Sequence, residues 1–341
     1  MIITYMIGNG LDISLGLKTR YTDFYEYTKN NYSDNESRKN EILDSIDNDT
    51  ELWSDLELGL GEYTKNIEDD TEKLDKFYKD KFEIDIMLRE YLKIEQDKIN
   101  WDDKEYMDKF KTEFVQQIVY FYNYFKTTDK TDILNLIGNQ SLKYYLISFN
   151  YTDVIKRGIQ ISRSADIEEF YLHGTLKGDD AILVVNDSDQ IKNQHFNSKH
   201  EMLLSMCKVE INKYIGENKT KRAEEILDSS TIVCIFGMSI GETDKHWWEK
   251  VVDNLKRGVT QMIIIFHYKP NLDKRNYVEV WREEERIKEQ LLKYASEGDE
   301  SKSNLKDKIK VICNSNMFKL QLKFRNNPNL DELVKEKSLI S

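Results

Sequence analysis

Ile2-Ile3-Thr4-Tyr5-Met6-Ile7, followed by Gly8-Asn9-Gly10-Leu11-Asp12, decides the fold. The first six residues are β-branched, apolar or aromatic and carry no charge, which predicts a buried strand. Gly8 and Gly10 then open a tight turn in which backbone can approach another group closely. Tyr21, Phe24, Tyr25 and Thr28 follow at helical spacing, with Thr19 or Thr22 available as an N-cap. Strand, glycine turn and helix make the first unit of a parallel α/β sheet.

Strand patterning resumes at Tyr144 to Phe149, Phe170 to Leu172, Ile182 to Val185, Thr231 to Phe236, Met262 to Phe266 and Ile309 to Ile312. Helical stretches separate most of these, so the predicted fold is α/β, Rossmann-like, with a mainly parallel sheet. From about residue 39 the strand signals vanish, and apolar residues recur at three and four: Trp53, Leu56, Leu60 and Tyr63, then Tyr106, Phe110, Phe114, Ile118, Phe121 and Phe125. That predicts a large α-helical insertion of amphipathic helices. The expected division is a nucleotide-binding domain of residues 1–38 and 140–341, with an inserted helical lobe of residues 39–139. Pro270 and Pro328 are the only prolines, and no internal repeat or low-complexity tract is present.

The 341 residues suffice for a full core, with 39% apolar residues against 33% charged, and 20 Tyr and 14 Phe among the former. A formal charge of -12 opposes nucleic acid and anionic membrane as partners, and the basic residues are interleaved with acids rather than gathered into a patch. Cys207, Cys234 and Cys313 include no Cys-x-x-Cys pair, so neither a disulfide framework nor a zinc site is expected, and a reducing cytoplasm fits. The start Met-Ile-Ile-Thr-Tyr-Met-Ile has neither a basic lead nor a long apolar core, which opposes export and membrane insertion.

Three loops, each directly after a predicted strand, carry the candidate chemistry. Gly8, Asn9, Gly10 and Asp12 form the first. Its glycines would let backbone amides approach a phosphate or ribose while Asp12 accepts from a hydroxyl, although a plain turn with Asp12 as a helix cap explains the same residues. It lacks the third glycine of the dinucleotide fingerprint. Asn150 in the second loop could position a water or a sugar hydroxyl, or satisfy its own turn. His173, before Gly174 at another strand end, is the candidate general base. Gly237 and Ser239 form the third loop, and Asp244 opens a predicted helix, Lys245 to Leu255, whose N-terminus could hold an anion or ribose, with Thr243 or Asp244 as its cap. Asp55 and Glu57, two apart on a predicted helix, would fall on different faces, which opposes paired-carboxylate catalysis there.

Gly8-Asn9-Gly10-Leu11-Asp12 with Gly16-Leu17 and Tyr21-x-x-Phe24, then Trp53-Ser54-Asp55-Leu56-Glu57, Phe149-Asn150-Tyr151-Thr152, Leu172-His173-Gly174 and Gly237-Met238-Ser239 through Asp244, resemble the bacterial abortive-infection AbiH proteins. That family in turn looks like a distant member of the sirtuin-like nucleotide-binding folds. The resemblance implies a sirtuin-like core, with Asn150 and His173 at the bond between nicotinamide and ribose, and Gly8, Gly10, Gly237 and Ser239 on NAD. Asn9 and Asp12 depart from the alanine and serine usual in the sirtuin-like first loop, and the aspartate of Asn-Tyr-Asp is displaced to Asp153.

The expected function is therefore a cytoplasmic NAD glycohydrolase of anti-phage defence. NAD is its substrate and no cofactor or metal is required. A phage-derived trigger or homo-oligomerisation would control it. The competing expectation is a nucleotide-binding sensor without turnover that signals through its helical insert.

Overall fold

The computed structural model describes residues 1–32, 40–68, 70–160, 165–177, 184–186, 188–193, 195, 199–216, 218–295 and 302–325. Six strands form one all-parallel sheet: β1 (Ile2–Ile7), β2 (Lys143–Ser148), β3 (Asp166–Tyr171), β4 (Ile232–Phe236), β5 (Met262–His267) and β6 (Ile309–Cys313). Their spatial order is β3-β2-β1-β4-β5-β6, the doubly wound Rossmann order, with β1 at the centre.

The helices between them are α1 (Gly10–Ser14), α2 (Tyr21–Tyr32), α3 (Glu41–Asn48), α4 (Leu56–Tyr63), α5 (Thr71–Asp97), α6 (Lys104–Val119), α7 (Thr127–Ile137) and α8 (Val154–Ile159). They continue as α9 (His200–Met206), α10 (Lys208–Tyr214), α11 (Lys219–Asp228), α12 (Lys245–Lys256), α13 (Tyr277–Leu292) and α14 (Lys302–Lys306). No described helix is long and apolar enough to cross a membrane.

Strand alternation sorts side chains into two cores. Ile3, Tyr5, Ile7, Leu146, Cys234 and Ile264 face one side with Phe110, Phe114 and Ile118 of α6 and Ile133 of α7. Met6, Ile147, Val233, Ile235 and Ile263 face the other with Leu227 of α11, Trp248 and Val251 of α12 and Ile287 of α13. A third core joins α2, α3, α4 and α5 to Val185, Met202, Met206 and Cys207. The helical stretch between β1 and β2 thus supplies both a cover for one sheet face and most of a separate cluster.

Several boundaries differ from expectation. β3 begins earlier than Phe170, because its charged residues Asp166, Glu168 and Glu169 lie on a sheet edge where water accepts them. Half of the strand expected at Ile182 to Val185, residues 182 and 183, lies outside the described residues, and Val185 itself makes an isolated parallel bridge to Cys207. Thr19 does not cap α2, since its hydroxyl donates to Asn9 Oδ1 at 2.5 Å. Neither Thr243 nor Asp244 caps α12 through its side chain.

Candidate functional site

The loops after β1 and β4 meet backbone to backbone. Gly8 N–H donates to Phe236 O at 3.0 Å and Gly10 N–H to Gly237 O at 2.9 Å. A Cβ on Gly10 would stand 2.3 Å from Gly237 Cα, and Gly237 itself adopts φ +67°. Glycine is needed here because two main chains touch. Those two amides, expected to face phosphate, are committed to the neighbouring loop. The Asn9 amide is also tied down, with Nδ2 donating to Thr19 O at 2.7 Å. Ser239, two residues beyond Gly237, is exposed.

The ends of β1, β2 and β3 are arranged differently. Asp12, on the first turn of α1, is only 2% exposed, and both its carboxylate oxygens accept from the Thr152 hydroxyl, at 3.0 and 2.8 Å. Burial pushes its pKa up to about 7, tempered by Thr152 and by the adjacent Asn150. Asn150 is 5% exposed. Its backbone is anchored to the Ser148 hydroxyl, yet among the described residues neither atom of its side-chain amide finds a hydrogen-bond partner of ordinary geometry. His173, at the end of β3, is 6% exposed, and its Nδ1 is buried without a partner among the described residues. Its ring stands edge-on to Phe149 at 5.6 Å and tilted against Tyr151 at 6.1 Å. Burial first, then the charges of Lys208 and Lys219, hold its pKa well below the ordinary value, so the imidazole is neutral. Buried polar atoms without partners are scarce in folded proteins, and several at neighbouring strand ends mark a place where a ligand or water completes the bonding.

A roof from the helical segments touches this edge. Tyr151 Oη donates to Glu57 at 3.1 Å, and Lys208 Nζ donates to both oxygens of Glu57, at 2.8 and 2.9 Å, in a pair with side chains 6% and 7% exposed. Thr243 donates its hydroxyl to Asp55, which also caps α4 by accepting from the amides of Glu57 and Leu58. Asp244 is bound by Asn186 Nδ2 at 3.3 Å, and burial with the nearby Glu57 charge lifts its pKa to about 7. Asp153 accepts from Arg157 and Lys177, while its amide donates to Gln96 of α5 at 2.7 Å.

The sites named from sequence thus fall into three places: Gly8, Gly10 and Gly237 in the closed crevice, Asp12, Asn150 and His173 at the polar edge, and Asp244 beneath the roof. Sequence reasoning missed Lys208, for which no signal existed, and set Glu57 aside. The rule of opposite helix faces does not hold for Asp55 and Glu57, because Asp55 is the extended cap residue and lies outside the helix. A groove of about 970 Å³ lies elsewhere, between α12 and α13, lined by Glu242, Lys245, Glu249, Lys256, Arg286 and Tyr294 among others. Among the described residues, no group of three His, Cys, Asp or Glu side chains is arranged to hold a metal ion.

The edge gathers an amide, a carboxylate and a neutral imidazole, with aromatic rings beside them. Comparison with curated proteins finds no match. The model of the bacteriophage abortive infection AbiH family matches residues 4–268, from β1 through the end of β5 and so across every loop of the site. The chain belongs to the bacteriophage abortive infection AbiH family.

Proposed function

We propose that this AbiH protein is a NAD glycohydrolase of anti-phage defence, with NAD as substrate and nicotinamide as a product. The observation that carries this reading is the pair Asn150 and His173, on adjacent strand ends, each more than nine-tenths buried with polar atoms that find no hydrogen-bond partner among the described residues. Breaking the bond between nicotinamide and ribose leaves an oxocarbenium-like sugar, which needs a shaped pocket, a positioned water and a proton acceptor. Asn150 holds the water or a ribose hydroxyl, and His173 lines the pocket for the nicotinamide ring. With the amides of Gly8 and Gly10 engaged, the glycine loops set the floor on which a nucleotide lies. The sirtuin-like likeness of the motifs supports the same assignment.

A sensor that binds the nucleotide without turnover is the second reading. It is favoured by the direct bonds from Tyr151, Asp153 and Thr243 to Glu57, Gln96 and Asp55, which connect the site to the helical segments. The test incubates purified protein with NAD, with and without lysate of phage-infected cells, and follows nicotinamide release beside Asn150→Ala and His173→Ala. Release by the unaltered protein alone supports the hydrolase. Intact NAD, bound but unconverted under both conditions, sinks it in favour of the sensor.

A further inference from the structure

A water that attacks the ribose must give up a proton to a group able to keep it. His173 is poorly equipped for that. Histidines that accept a proton in catalysis carry a carboxylate or carbonyl on the other ring nitrogen, which stabilises the imidazolium. Among the described residues, His173 Nδ1 is buried with no acceptor. Aromatic rings flank it, and Tyr151 directs its own hydroxyl to Glu57.

The carboxylates near the edge differ in how far they are neutralised. Glu57 holds Lys208, Asp153 holds Arg157 and Lys177, and Asp55 holds Thr243 and two helix amides. Asp244 sits against Asn186 beneath the roof. Asp12 is the most buried of those at the strand ends, and its hydrogen bonds come from one hydroxyl, with the Asn150 amide alongside.

We propose that Asp12 takes the proton from the attacking water, while His173 stays neutral and shapes the pocket for the departing base. This rests on the glycohydrolase reading. In the step, the bond from C1′ to nitrogen breaks and its electron pair passes to the pyridinium ring, leaving neutral nicotinamide. The water oxygen bonds to C1′, and its proton moves to the Asp12 carboxylate and later to solvent. The pKa of about 7 imposed by burial matches an acceptor working near neutrality. Tyr171 of β3 is the titratable neighbour that feels the Asp12 charge, and the charge of Asp153 is already balanced by Arg157 and Lys177.

The test records nicotinamide release from about pH 5 to pH 9 for the unaltered protein, Asp12→Asn, Asp12→Ala and His173→Gln, with NAD affinity measured for each by calorimetry. Loss of the acidic limb near pH 7 in Asp12→Asn is expected, together with a fall of about 10²- to 10⁴-fold in rate while NAD affinity changes only a few-fold. Formate should return part of the rate to Asp12→Ala, which a purely structural role would not allow. His173→Gln should keep the limb. A limb that survives Asp12→Asn, or vanishes with His173→Gln, overturns the assignment.

Difference infrared spectroscopy of the unaltered protein against Asp12→Asn separates this failure from that of the parent reading. A carboxyl band that titrates near pH 7 and shifts on adding NAD is expected. Its absence, or indifference to NAD, removes Asp12 from the site whatever the rates show. An unaltered protein that releases nothing at any pH, even with infected-cell lysate, refutes the hydrolase and this proton transfer with it.

Discussion

The crevice between β1 and β4 and the edge formed by β1, β2 and β3 lie at the same end of one sheet but satisfy their polar atoms in opposite ways. In the crevice, Gly8 and Gly10 donate to Phe236 and Gly237, and two main chains close on each other. At the edge, Asn150 and His173 keep polar atoms buried and unpaired among the described residues, with Asp12 alongside. In open α/β sheets the ligand usually sits at the crevice where strand order reverses. Here the reversal between β1 and β4 is sealed at its base, and the buried polar atoms without partners among the described residues lie one strand across, beneath the helical roof. Glycines after a strand therefore report close approach of any kind, whereas an unsatisfied buried amide reports something missing.

The contrast is most easily broken at Gly10. A methyl group there meets Gly237 Cα, a backbone atom that cannot swing aside. Gly10→Ala should lose about 4 kcal/mol or more in urea denaturation. An unchanged midpoint would mean that the crevice is open. Next in size is Lys208→Met, which leaves the Glu57 carboxylate buried without its cation and should cost about 3 kcal/mol. Adding Glu57→Gln should recover most of that loss. A double variant as unstable as the single one would show that the roof depends on more than this pair.

Asp12→Asn sharpens the comparison from the other side. Because burial raises the folded pKa from 3.8 to about 7, the unfolded chain loses this proton first as pH rises. The folded state then binds more protons across that window, so stability falls with rising pH between those values and stays low above them. Asp12→Asn should therefore stabilise the protein by on the order of 2 kcal/mol at about pH 8 and by little at about pH 4. A gain that does not depend on pH would place Asp12 outside the strained group. The smallest effect belongs to Asn150→Ala, whose amide lies beside Asp12 without a hydrogen bond of ordinary geometry, so its loss should shift stability by less than about 1 kcal/mol. A loss several times larger would make Asn150 a structural residue like Asn9.

The strands were readable because each is a short apolar run bounded by turn residues, and five of them fall where the sequence puts them to within about two residues. β3 was seen only at its apolar end, since charges on an edge strand erase the alternation. Asn150 and His173 were legible because strand-terminal position follows from the run before them. Their lack of partners was not, because partners come from across the chain. Glu57 meets Lys208 from 151 residues away, and no local spacing encodes that pairing. Gly8 and Gly10 were expected to bring backbone amides to a phosphate or ribose, whereas those amides meet the backbone of Phe236 and Gly237, a pairing that comes from across the chain and that local sequence does not encode.

The central place of β1 also sets an order of events on the ribosome. Ile7 lies in register with Ser148 on one side and Phe236 on the other, so one flank of this strand waits for most of the chain to be made. At about 5–20 residues per second, the interval from Ile7 to Phe236 is roughly 10–45 s, during which an uncharged, mostly apolar strand has no second neighbour. Helices α2 to α7 emerge in that interval and can form from local contacts alone. They are the material at hand to shield β1, so a protein of this topology is most prone to mispairing before β4 is synthesised, long before its site exists.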